Sequence, residues 1–274
     1  MRLKLFASAV CAAVAAISGS ANAGLLWGNS AGSSVVIEAV DQTTLAVVHQ
    51  FSVGSGNGRG VVTVGGIVYY TKTGDNHIYK IDANTGASLG SITTTVTSMS
   101  TIGWDGSQFW TSDYAGTNRA FRIDTTGAVT KTINLTNAQQ NMDGMEFFNG
   151  KLISNRCDAC GVYDIYDLDG NLLTASFITS AGSSTGIAYD GTDFLVSNIF
   201  ANSISKYNGT TGALISTRTI GGPAPNTGFG RLWEDLSVDY ATRQDTGKLP
   251  EPSSLLLAGI AILGLVASQR KRAS

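Results

Sequence analysis

Charged residues make up only 14% of this 274-residue chain, and histidine occurs just twice, as His49 and His77. That scarcity leaves little imidazole for acid–base or metal chemistry, and both residues are expected on or beside strands as ordinary polar side chains. Cysteine is nearly as rare, with three in all. No HExxH, Gly-rich phosphate loop or nucleophile–base signature is present. Between residues 24 and 249 no apolar pattern of helical period runs for a useful length, which leaves strands as the building material. Basic side chains cluster at the two ends as Arg2, Lys4, Arg270, Lys271 and Arg272. Without these five, and without Glu251, the 18 cations and 20 anions fall to 13 and 19, so the central body is near −6. An acidic body without basic stripes argues against nucleic acid as a partner.

Glycine, by contrast, is abundant at 33 residues, as expected for a sheet-rich chain dense in turns. An Asx residue after an apolar one recurs as Asp41, Asp82, Asp124, Asp167 and Asn208, at steps of 41, 42, 43 and 41 residues. In the last four copies a glycine follows, at Gly86, Gly127, Gly170 and Gly212. Asx followed by Gly is hairpin chemistry, the side chain bonding the backbone ahead while Gly takes positive φ. The first copy has Thr43-Thr44 instead, which predicts a looser loop. Upstream of each marker lies a further apolar run ending at Trp27, Thr71, Thr111, Ser154 and Ser197, and in the last four copies another run precedes that one. Each unit is therefore a four-stranded antiparallel meander, with strands a to d, and a strand-only repeat of this period is a propeller blade.

Copy one begins at Leu25 with strand b and lacks strand a, while EDLSVDY (234–240) is a strand a with nothing after it. Laying that segment beside the N-terminal b, c and d closes a ring of five blades and removes its open edges. The expected fold is an all-β five-bladed propeller over residues 24–247, closed by a C-terminal strand. The Asp-x-x-Thr-Gly turns of copies two and five resemble those of YVTN-type and quinoprotein-type propeller repeats.

The ends read as targeting segments. Residues 1–23 have Arg2 and Lys4, an apolar run from Leu5 to Ile17 and a small-residue site at Ala21 and Ala23. They form an expected signal peptide cleaved before Gly24. Cys11 falls inside the discarded run.

After Lys248, Pro250-Glu251-Pro252 is followed by Leu255 to Val266, all apolar or small, and then by a basic cluster. This ending resembles the PEP-CTERM sorting signal. Pro252 to Gln269 would span about 27 Å as a helix, just enough to cross a hydrocarbon core of about 30 Å. The basic end would stay cytoplasmic. The resemblance implies processing by an exosortase near the PEP motif, transient residence in the inner membrane, and a Gram-negative envelope that also makes exopolysaccharide. Residues 248–274 are thus read as sorting signal, transmembrane helix and basic tail.

Cys157 and Cys160 lie three residues apart in a b–c loop. Outside the cytoplasm such a pair oxidises readily, although so short a ring restrains the unfolded chain by only about 2 kcal/mol. Half of a metal site and a redox pair are the alternatives, the first without a nearby His or second Cys pair, the second without a helix N-terminus. Asp167-Leu168-Asp169-Gly170-Asn171 looks like the start of a calcium loop but lacks the distal Glu and falls where every copy has its c–d turn. Calcium is the one metal ion the sequence brings to mind, and no cofactor is expected.

In a propeller the b–c and d–a loops share one face. That places Asp113, Tyr114, Asn155, Arg156, Asn198, Phe229, Arg231, Trp233 and Glu234 around one mouth, the last four on an inserted d–a loop, 221–235. Aromatic rings among amides and carboxylates suit sugars, while the alternative has Phe229 and Trp233 merely packing the insertion onto the ring. The expected role is a secreted or cell-surface, noncatalytic body that binds extracellular polysaccharide or a surface protein, or that is a structural component of the matrix. The alternative is a metal-dependent hydrolase of the lactonase type, with Asn155, Asn198, Asp113 and Glu234 as oxygen donors. That type uses a six-bladed ring.

Overall fold

The third apolar run of each copy ends in a turn whose Asx residue caps its own backbone, and the five copies of that unit build the molecule. The structure is a computed structural model that describes residues 24–224 and 231–243. The signal-peptide site at Ala21 and Ala23, Phe229, the Pro250-Glu251-Pro252 motif and the apolar run of the tail lie outside the described residues. Among the described residues no helix is long and apolar enough to cross a membrane.

Blade 1 combines β1 (Leu25–Ser30), β2 (Ser34–Asp41) and β3 (Val47–Ser55) with β20 (Trp233–Val238), in the order β20-β1-β2-β3. Blade 2 runs β4 (Gly58–Val64), β5 (Ile67–Lys72), β6 (His77–Asp82), β7 (Ser88–Thr93). In blade 3 the strands are β8 (Gly103–Trp104), β9 (Phe109–Ser112), β10 (Arg119–Ile123) and β11 (Val129–Asn134). Blade 4 holds β12 (Met145–Phe148), β13 (Lys151–Asn155), β14 (Val162–Tyr166) and β15 (Leu172–Thr179). Blade 5 holds β16 (Ser184–Tyr189), β17 (Asp193–Asn198), β18 (Ser203–Asn208) and β19 (Leu214–Thr219).

The ring is closed by its C-terminal strand. β20 pairs antiparallel with β1, Leu26 opposite Val238, Trp27 opposite Ser237 and Gly28 opposite Leu236. The five-bladed closure expected from the missing first strand is therefore the observed one. Five apolar clusters occupy the five gaps between neighbouring blades. Trp27, Ile37, Val61 and Tyr70 fill the gap between blades 1 and 2, and Leu26, Leu195, Trp233 and Leu236 fill the gap between 5 and 1. The other three clusters centre on Phe109, Trp110 and Phe194. Outer strands such as β19 are mostly exposed, so the stability of the ring resides in blade-to-blade packing rather than in any single sheet.

The innermost strands approach each other so closely that the axis is filled by backbone. A Cβ on Gly186 of β16 would fall 2.4 Å from the Asp235 Cα, so only glycine fits there. Asp235 sits fully buried on the axis and accepts from Val61 N (3.1 Å), Thr101 Oγ1 (2.9 Å), Ile102 N (3.2 Å) and Leu236 N (2.9 Å). Ile102 N turns to that carboxylate just before β8, which at two residues is the shortest of the inner strands. Below the ring, Arg243 and Tyr240 both bond buried Glu146 of blade 4, the guanidinium at 2.9 Å and stacked 3.4 Å over the Tyr240 ring. The segment after the closing strand is thereby clasped across the floor.

One expected turn is corrected. Copy one does not turn by a looser loop. Asp41 Oδ1 accepts from Thr43 N (3.0 Å) and Thr44 N (2.7 Å), as Asp82 does from Asn84 N (3.0 Å) and Thr85 N (2.8 Å). Leu45 then takes φ 55°, where Gly86 has 70° and Gly212 has 68°. A left-handed leucine costs about 1–2 kcal/mol. Leu45 is only 3% exposed in the gap between blades 5 and 1, and burial of that size offsets the cost. The Asp167–Asn171 segment is likewise the c–d turn, its Asp167 Oδ1 accepting Asp169 N and Asn171 N, each at 2.9 Å.

Candidate functional site

The b–c and d–a loops meet on one face, and the structure divides the expected mouth residues into those that converge there and those that do not. Arg231 and Trp233 do not. Both are buried against Glu38 of β2, with Arg231 Nε and Nη2 at 2.8 and 3.0 Å and Trp233 Nε1 at 2.8 Å. A fully buried carboxylate must be compensated, and these two side chains do so, pinning the insertion to blade 1 rather than facing ligand. Asp113 is held by Thr117 (2.6 Å) of its own loop and by Arg119 (2.7 Å) at the start of β10. Arg156 turns outward to Asp164 (2.9 Å). Asn198 shapes a turn, accepting Phe200 N (3.2 Å) and Ala201 N (2.9 Å).

Tyr114, Asn155 and Glu234 do converge, and they meet three residues that the sequence reading did not select: Arg59, Asp143 and Asp158. Arg59 pairs with Glu234 and lies 4.4 Å over the Tyr114 ring. Tyr114 donates to Asp158. Asn155 donates to Asp143 and to Cys157 O (2.9 Å), and accepts Asp143 N (3.0 Å) and Gly144 N (3.1 Å). The loop that carries Asp158 is closed by a Cys157–Cys160 disulfide with Cα atoms 5.5 Å apart. Blades 1, 2, 3 and 4 thus contribute to one network at the top of the axis. A signal for two of the three was present. Arg59-Gly60 and Asp143-Gly144 place a charged residue just before a glycine near the top of strand a.

Burial governs the electrostatics. The Asp143 carboxyl is held far above the usual range by burial, by the negative charge of Glu234 and by its hydrogen bond to Asp158. Burial also raises Glu234, against the opposing pull of Arg59. Tyr114 is pushed up to about 12 by burial and by Asp158. Glu146 and Asp235 are raised by burial too. Hydrogen bonds, by contrast, lower Asp41, Asp82, Asp124 and Asp167 in the c–d turns.

The two sets have opposite consequences for stability. A raised carboxyl binds its proton more tightly folded than unfolded, so its contribution is present in acid and fades as pH rises through the folded value. A lowered one contributes above about pH 4 and is lost as pH falls through its folded value. Thermal unfolding followed from pH 3 to 9 is expected to give its highest midpoint at about pH 5. A maximum at pH 8 or above would contradict the burial of the four raised carboxyls.

Beside the Arg59–Glu234 pair a pocket of about 400 Å³ opens between the b–c loops of blades 1 and 5. No three His, Cys, Asp or Glu side chains among the described residues are arranged to hold a metal ion.

Residues 249–271 match the PEP-CTERM protein-sorting motif. No curated protein matches the chain. Among solved structures, a chain of the nidogen/laminin complex is similar with a TM-score of 0.54 at 13% identity, covering 80% of this chain and 99% of that one. A glutaminyl cyclase of Myxococcus xanthus gives a TM-score of 0.48 at 11% identity, covering 71% and 76%. The former likeness is one of propeller fold alone. The sorting motif implies export, exosortase processing and a location at the cell envelope or surface.

Proposed function

We propose that this propeller is a noncatalytic binding body, displayed outside the cell after its sorting signal is processed, and that its mouth face engages an extracellular glycan. One observation carries the reading: a sorting motif at 249–271 is joined to a propeller whose mouth polar groups are largely committed to one another. The oxygen donors of the lactonase alternative illustrate the point. Asn155 and Asn198 each accept two backbone N–H groups, Asp113 holds Arg119 and Thr117, and Glu234 holds Arg59. Binding any divalent ion there would first break these bonds, and the ring has five blades where that chemistry uses six.

Replacing Pro250-Glu251-Pro252 by alanines is expected to leave full-length protein in the inner membrane, with at least a tenfold drop in the processed form. Equal release of variant and wild type would count against exosortase processing. Processed wild-type protein is expected to co-fractionate with envelope polysaccharide and to lose that association after glycosidase treatment. Free protein in both fractions would overturn the glycan reading. Stoichiometric calcium with lactone turnover that dies in Asn198→Ala would replace it by the hydrolase.

A further inference from the structure

The ion network at the top of the axis does not account for the pocket beside it. One wall of that pocket is Phe200, 72% exposed, the most exposed large apolar side chain among the described residues. Its loop is not loose. Asn198 Oδ1 accepts Phe200 N and Ala201 N, Asn198 Nδ2 donates to Gly182 O (3.0 Å), and Ile199 N donates to Ser183 O (2.9 Å). Ile199 packs inward at the same time, so the ring next to it is fixed in water rather than folded back onto the blade. An aromatic side chain presented in this way is pre-organised to receive a flat apolar face.

The opposite wall is polar and electrically balanced. Asn57 Oδ1 accepts Gly32 N (3.1 Å), which fixes the amide and leaves Nδ2 without a partner among the described residues. Arg59 donates Nε to Thr73 Oγ1 (3.0 Å) and Nη1 to Glu234 Oε1, leaving Nη2 without one. Glu234 Oε2 is the matching acceptor, also without a partner among the described residues. The pocket thus offers two donors, one acceptor and a ring, with one positive and one negative charge already paired at its floor. A free anion would meet Glu234, and a free cation would meet Arg59. Its size falls in the lower part of the range for small-molecule sites, about 300–1,000 Å³.

We propose that this pocket is a subsite for one neutral sugar ring of a glycan, stacked on Phe200, with its hydroxyls bonded by Asn57, Arg59 and Glu234. A pyranose presents this combination of an apolar C–H face and a rim of donor–acceptor hydroxyls. The assignment rests on the binding reading above and deepens it.

The test uses saturation-transfer NMR on the purified protein with cellotetraose, a β-1,4-linked N-acetylglucosamine tetramer and a tetragalacturonate fragment. Transfer from at least one neutral oligosaccharide is expected, with at least a tenfold loss of affinity in Phe200→Ala and a smaller loss in Asn57→Ala. Leu214→Ser, which removes an exposed apolar side chain from the outer strand of the same blade, should leave binding unchanged. Equal affinity in Phe200→Ala and wild type would overturn the subsite. So would transfer from no neutral sugar, a preference for the galacturonate, or occupation of the pocket by a protein partner. Co-fractionation of the processed protein with envelope polysaccharide is read separately. If it persists undiminished in Phe200→Ala, the subsite fails and the glycan reading stands.

Discussion

Deleting residues 234–240 is expected to abolish the cooperative thermal transition of the whole propeller. The segment does more than complete blade 1. Besides the β1 ladder, Asp235 bonds the backbone of blades 2 and 3, and Ser237 Oγ accepts Thr63 N at 2.9 Å. Asp239 accepts Gly65 N (2.9 Å), and Tyr240 reaches Glu146 of blade 4. Leu236, Val238 and Tyr240 are all buried. At roughly 1.5–3 kcal/mol for each such side chain, their loss alone removes much of the 5–15 kcal/mol that typically holds a domain together. Circular dichroism melts of wild type and deletion variant would decide the matter. An unchanged melting curve would mean that the ring closes some other way.

Glu38→Ala should be a severely damaging side-chain truncation, at roughly 3–5 kcal/mol, because it strands a buried cation. Glu38 is fully buried and receives Arg231 through two nitrogens, Trp233 Nε1, and Gln50 Nε2 at 2.9 Å. With the carboxylate gone, the guanidinium keeps Asn202 Oδ1 (3.3 Å) and Pro223 O (2.8 Å) but no counter-charge. Removing both partners, as in Glu38→Leu with Arg231→Met, should recover most of the loss, since a buried ion pair replaced by apolar side chains is often neutral. Urea melts of the two single variants and the double variant form the cycle. Additive losses would show that the two residues act independently and that the insertion is held by something else.

The architecture was legible because turn chemistry is local. The Asx side chain and the residue at positive φ sit within five positions in every blade, joined in all but blade 4 by a threonine two or three places on, so each blade announces its own corner. Leu45 escaped because burial between blades outweighs the left-handed cost, and no local pattern reports burial between distant segments. The closing strand was legible from simple counting, one strand a too few at the start and one spare at the end.

The mouth was legible only in part. Tyr114, Asn155 and Glu234 are where the loop positions put them, but Arg59, Asp143 and Asp158 join them from blades 2 and 4 across the axis. Arg231 and Trp233 turn to Glu38 instead of the mouth. For Trp233 this is the packing alternative, and it opens β20 rather than lying on the inserted loop, while Arg231 precedes that strand, where no periodicity says which side chains turn inward. The sequence did hold a warning in SVVIEAVD. A lone carboxylate, Glu38, sits in the middle of an otherwise apolar strand and requires a buried donor from elsewhere in the chain. Phe200 was passed over for a related reason, since a single apolar residue in a loop is ordinary until its surroundings are seen.

The most direct measurement of the closed ring is the set of cross-strand nuclear Overhauser contacts made by the segment Trp233–Val238 in solution. A ring closed by this strand gives contacts from Ser237 to Trp27 and from Val238 to Leu26, together with slow amide exchange along both strands. Contacts from Ser237 to any other strand, or fast exchange throughout 233–238, would contradict it.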